Sequence, residues 1–100
     1  MTLDAIMRDI EAMREDLIMF ERKYCVPTEV FYQAYQQGIE PAEQSWVMDW
    51  SEWAGTYQIL VDRLQRYDQA VRQLVEDAAV ADVSELIAMT SRHEPIAVPG

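Results

Sequence analysis

From Trp46 to Ala78, apolar side chains recur at alternating steps of four and three: Trp46, Trp50, Trp53, Tyr57, Leu60, Leu64, Tyr67, Val71, Leu74 and Ala78. That period places them on one face of a long helix. Val47, Ala54, Val61 and Val75 each fall one place after a member of this series. They widen the stripe beyond a coiled-coil seam, to the width that suits a helix bundle. Near the start of the chain Leu3, Ile6, Ile10, Met13, Leu17, Phe20 and Tyr24 repeat the same steps, so two helices of one period can lie side by side.

Local chemistry sets the expected boundaries. Thr2 can cap a first helix, with Asp4 in its first turn, and the helix should stop near Tyr24 because Pro27 disfavours helical geometry at the preceding residue. Thr28 reads as the N-cap of a short second helix with Phe31, Ala34 and Tyr35 on one face, and Gly38 as its left-handed stop. Ile39 to Ser45 reads as a polar linker. The third helix starts near Pro41 or at Asp49; Asp49 has Glu52 at the capping-box position and Met48 and Trp53 in staple positions. The expected helices are 2–24, 28–37 and 49–77. At 1.5 Å per residue the third is about 43 Å long and the first about 35 Å. Residues 1–78 form the domain, and 79–100 are a short helix or continuation and then a mobile tail. Asp82 and Glu85 form a second capping box there, ahead of Leu86, Ile87 and Met89. The expected fold is all-α: two long antiparallel helices, a short helix closing the bend, and two chains pairing into a dimeric bundle.

Size and charge sharpen the picture of what such a domain meets. With 100 residues, half of them of hydrophobic type, the chain holds one domain that buries only about 60 to 65% of its unfolded surface, so association is expected. Eighteen acidic and eight basic residues give a net charge of −10, and Arg22-Lys23 is the sole adjacent basic pair. This disfavours direct binding of nucleic acid and favours a basic protein partner. The longest apolar run is four residues, as in Leu17 to Phe20, so no membrane span is expected. A single cysteine, Cys25, and a start lacking a signal peptide's basic and apolar regions point to the cytoplasm.

The same inventory argues against catalysis. His93 is the only histidine, lies in the expected tail far from Cys25, and no Glu-x-x-His pair or glycine-rich phosphate loop exists. No enzyme, cofactor or metal site is expected. Asp4 with Arg8, Asp62 with Arg66 and Asp68 with Arg72 are acidic-then-basic pairs four apart, which mark solvated helix faces. The aromatic residues are more informative, because nine of ten lie between Phe20 and Tyr57. They form either a core hub where the second helix crosses the other two or a binding surface. The expected partner-binding residues are Tyr32, Tyr35, Trp46 and Trp50, with Tyr32 and Trp50 the most exposed because they sit at the margins of their stripes. Met1, Met7, Met13, Met19, Met48 and Met89 raise the alternative of an adaptable groove, although Met13 belongs to the core series and Met1 is the start residue.

Phe20-Glu21-Arg22-Lys23-Tyr24, followed by Phe31, Gly38 and Trp53-Ala54-Gly55-Thr56-Tyr57, resembles a family of small acidic helical proteins encoded beside TumE-type toxins. Those relatives share a first helix ending Phe-Glu-x-Lys-Tyr-Gly, a short Phe-bearing helix ending in Gly, and a Trp-Ala-Gly-x-Tyr helix start. The resemblance spans about Leu3 to Leu74. It implies a non-enzymatic antitoxin that binds and neutralises a cognate toxin; a self-associating scaffold or adaptor without a toxin partner is the alternative. Cys25 stands where the family has Gly: if that Gly supplies a left-handed turn, either Cys25 adopts it at a cost of about 1 kcal/mol or Pro27 reshapes the corner.

Overall fold

The structure, a computed structural model, describes residues 2–77 together with Ser84, Ile87 and Ala88. It is all-α, with helices α1 (Leu3–Tyr24), α2 (Thr28–Gln36) and α3 (Val47–Asp77), and a 3-10 turn at Gln44–Trp46 leading into α3. Of the expected segment 79–100, the Asp82 and Glu85 capping box, His93 and the tail lie outside the described residues, while Ser84, Ile87 and Ala88 are helical and exposed.

Each boundary has a local cause. Thr2 caps α1 as expected, its hydroxyl accepting a hydrogen bond from the Ala5 amide at 3.2 Å. At the other end Cys25 takes up the left-handed conformation, φ 55°, which glycine occupies freely and an L side chain adopts at a cost. Pro27, extended at φ −62° and ψ 144°, then turns the chain, and its carbonyl accepts the first helical hydrogen bond of α2 from Phe31. The N-cap of α2 is therefore Pro27 and not Thr28, which stands one residue inside the helix. Gly38 ends α2 as expected, at φ 84°. The Gly38 amide donates to Tyr35 and the Ile39 amide to Ala34, the paired bonds of a Schellman stop.

Helix α3 begins at Val47, between the two expected starts. The turn Gln44–Trp46, closed by the Trp46 amide donating to the Glu43 carbonyl, supplies the helix nucleus. Asp49 consequently lies within the first turn of α3 and does not cap it. At 1.5 Å per residue α3 is about 46 Å long and α1 about 33 Å.

The two long helices pack along their apolar stripes. Asp9 pairs with Arg63 at 3.4 Å, the Phe20 ring stacks on Trp53, and Lys23 reaches Asp49. Ile6, Ile10, Leu17, Phe31, Trp53, Ala54 and Leu60 form the buried core, with Met13, Leu64 and Tyr67 packed against it. The three expected i, i+4 ion pairs form at 3.0 to 3.1 Å. The body is long and thin, 55 × 22 × 20 Å, with a radius of gyration of 17.7 Å against about 13 Å for a compact 100-residue domain. Apolar side chains are accordingly left outside: Val47, Val61 and Val75 of the widened α3 stripe, and Met7 and Ile18 of α1, are exposed. Among the described residues no helix is long and apolar enough to cross a membrane.

Candidate functional site

The bend where α2 crosses the ends of α1 and α3 is built around Trp53, which is 1% exposed. Three rings stack on its indole. Phe31 lies at 3.8 Å between centroids and parallel within 1°, with Phe20 at 5.7 Å and Tyr24 at 5.6 Å. Each such pair adds about 0.5 to 1.5 kcal/mol beyond area burial. Steps of three or four bring these residues together: Phe20 and Tyr24 share the inner face of α1, and Trp50, Trp53 and Tyr57 that of α3.

Polar groups lock this stack. Thr28 is 1% exposed, and its hydroxyl accepts from Trp53 Nε1 at 3.0 Å while donating to Glu21 Oε2 at 3.0 Å. The Thr28 amide donates to the same Glu21 oxygen at 2.9 Å. Glu21 thus takes one of the free amide groups at the start of α2 and joins all three helices through one hydroxyl. Beside it, Asp49 accepts from Lys23 Nζ and the Tyr24 hydroxyl, each at 2.6 Å. Those two bonds hold the Asp49 carboxyl below its ordinary pKa, against the opposing effect of desolvation. Desolvation first, then the hydrogen bond and charge of Asp49, pushes the Tyr24 phenol up from 10.0 to about 12. A phenol and an ammonium bound to one carboxylate form a strut between α1 and α3. All of Phe20, Glu21, Lys23 and Tyr24 therefore act at one corner.

The aromatic assembly continues outward from this core. Trp50 meets Phe31 edge-on at 5.3 Å and stacks on Trp46 at 6.2 Å, and Trp46 meets Tyr24 edge-on at 5.8 Å. Tyr32 leans on Tyr57 at 4.8 Å, and Tyr35 sits between Phe31 and Tyr32. The expected exposure of Tyr32 and Trp50 is corrected: both are half-buried, because Tyr57 covers one and Phe31 and Trp46 cover the other, while Tyr35 is the exposed ring of the set. Trp50 Nε1 is buried without a hydrogen-bond partner, a donor left unmade at a cost of about 1 to 3 kcal/mol.

All the aromatic residues singled out from sequence lie in or against this hub, with Gly38 closing the helix that carries Phe31. Thr28 and Glu21 had no assigned role there; the signal was Glu21 inside the Phe20–Tyr24 segment, seven residues before a threonine that follows a proline. Among the described residues no three histidine, cysteine, aspartate or glutamate side chains converge as a metal site would require. Cys25 is an exposed free thiol. No family model, curated protein or solved structure matches the chain.

Proposed function

We propose that this chain is a non-enzymatic, antitoxin-like binding protein of the cytoplasm that neutralises a basic partner toxin by covering its surface. The observation that carries the reading is the continuity of the aromatic assembly. It runs from the sealed Trp53 through Phe31 to Trp50 and the half-buried Trp46 on one side and to the exposed Tyr35 on the other, so the outer rings are held rigid before any partner arrives. Rigid aromatic anchors lose little entropy on binding and dominate interface energetics. Glu29, Glu40 and Glu43, in the stretch of chain that carries Tyr35 and leads to Trp46, are exposed, which suits a basic partner and speeds its encounter. The resemblance through Phe20, Lys23, Tyr24, Phe31, Gly38, Trp53 and Tyr57 supports the same reading.

In this account α1 and α3 run antiparallel, as the pairing of Asp9 with Arg63 and Lys23 with Asp49 supports, and two chains associate through the exposed Val47, Val61 and Val75 row. That row alone would also serve a scaffold that merely self-associates. Binding kinetics against the product of the adjacent gene separate the two. Raising salt should slow association and leave dissociation nearly unchanged, while Tyr35→Ala and Trp46→Ala should speed dissociation at least tenfold with the helical circular dichroism retained. Absence of any complex with that product rejects the antitoxin reading and leaves the scaffold.

A further inference from the structure

On the flank of the α1–α3 pair lies an open groove of about 640 Å³. Asp16, Met19 and Lys23 line it from α1, and Glu52, Gly55 and Ile59 from α3. We propose that this groove docks a basic amphipathic helix of a partner protein, with Gly55 as the point of closest backbone approach.

Three observations carry it. The first is apolar surface that the chain does not use. Met19 is 70% exposed and Ile59 50%. Met48, 74% exposed, precedes Glu52, Gly55 and Ile59 at helical steps of four, three and four and so extends the row on α3. Methionine adapts to whichever side chain seats against it.

The second is Gly55 itself. It sits inside a 31-residue helix, where glycine weakens the helix relative to alanine. A Cβ there would meet nothing within 4 Å, and the backbone is helical. Neither packing within the chain nor backbone geometry calls for glycine at this position. A bare strip of helix backbone on the groove floor is what a second helix needs to come close.

The third is charge. Lys23 is tied to Asp49, whereas among the described residues neither Asp16 nor Glu52 has an ion pair, and both are exposed. The groove thus presents uncompensated carboxylates on both walls. A second copy of this chain would set Asp16 and Glu52 against their own kind, which disfavours it as the occupant. Lysine or arginine flanking an apolar ridge complements the site. From Asp49 to Ile59 the α3 wall runs about 15 Å, room for about three turns of an incoming helix. The proposal defines the occupant by chemistry and stands whether or not the partner is a toxin.

Fluorescence anisotropy with a labelled 15-residue helical peptide, leucine on one face and lysine on the other, tests it against the full chain. The peptide should bind. A leucine–glutamate counterpart should not, and a leucine–lysine peptide of scrambled order should bind at least tenfold more weakly. Gly55→Leu, which fills the groove, should weaken binding at least tenfold without lowering the melting temperature. Glu52→Lys with Asp16→Lys, both on the surface, should weaken it at least fivefold and serves if Gly55→Leu does not fold. Equal binding by the scrambled peptide would reduce the effect to bulk charge and overturn the proposal. Undiminished binding by the variants would also overturn it. So would a halved mass of Gly55→Leu in light scattering, because the occupant would then be a second copy of the chain. Failure of the adjacent gene product to bind, with the peptide still bound, rejects the toxin reading alone.

Discussion

Thr28→Val is the most discriminating test of how the bend is held. Valine matches threonine in shape, so packing is nearly conserved while the hydroxyl that joins Trp53 to Glu21 is lost. The substitution strands the Trp53 indole N–H in a site that is 1% exposed, at about 1 to 3 kcal/mol. It also removes one of the two hydrogen bonds from Thr28 to the Glu21 carboxylate, a charge-assisted contact stronger than a neutral one. Valine's greater hydrophobicity offsets part of this, which leaves a net loss of about 2 to 3 kcal/mol from a domain whose total stability is about 5 to 15 kcal/mol. Since 1 kcal/mol moves the midpoint of a domain this size by about 4 to 8 °C, the melting temperature should fall by about 8 to 24 °C. Urea and thermal unfolding followed by circular dichroism and tryptophan fluorescence measure it. In a Trp53→Phe background no indole N–H is stranded, so Thr28→Val should there cost about 1 to 2 kcal/mol less. A loss below about 0.5 kcal/mol, or an equal loss in both backgrounds, would refute the relay.

The Lys23–Asp49–Tyr24 strut makes stability depend on pH at both ends. Asp49 is lowered in the fold, so its contribution is full above the ordinary carboxylate pKa of about 3.9 and fades as pH falls below it. Tyr24 is raised from 10.0 to about 12, so its contribution is full below pH 10 and fades as pH climbs towards 12. In a melting-temperature profile Asp49→Asn should remove the Asp49 part of the acid limb and reduce the alkaline limb, which desolvation of Tyr24 partly maintains; unchanged limbs would contradict the strut. Cys25→Gly should stabilise the chain by about 1 kcal/mol by relieving the left-handed corner, while Gly38→Ala should destabilise it by about as much; thermal melts with the opposite signs would reject both assignments. Light scattering coupled to gel filtration should give twice the chain mass, shifting to one chain in a Val61→Glu variant; a single-chain mass for the wild type rejects the dimer.

The helices were legible because one 3.6-residue period persists through each stripe, and Gly38, Thr2 and Pro27 mark positions whose backbone chemistry allows few alternatives. A capping hydroxyl and a buried tertiary hydroxyl look alike in sequence, so Thr28 reads as a cap. What distinguishes them is Glu21, which accepts from both the amide and the hydroxyl of Thr28. The exposure of Tyr32 and Trp50 is hidden for a related reason: position on a stripe margin says which way a ring points from its own helix, but not whether Tyr57 or Phe31 covers it from another. The start of α3 at Val47 depends on the turn Gln44–Trp46, a three-residue element with no period to read. Ala70 is buried although it lies outside the apolar series, since a methyl group carries little patterning signal. The groove was invisible for the opposite reason, because its row of Met48, Glu52, Gly55 and Ile59 mixes residue types and matches no apolar template.

Growth rescue with co-purification tests the central claim most directly. The product of the adjacent gene is expressed alone, with the wild-type chain, and with a Trp46→Ala and Tyr35→Ala double variant. The account predicts arrested growth in the first culture, growth and a stable complex in the second, and arrested growth with little complex in the third despite a folded variant. An adjacent product that is harmless alone, or rescue without any physical complex, would contradict it.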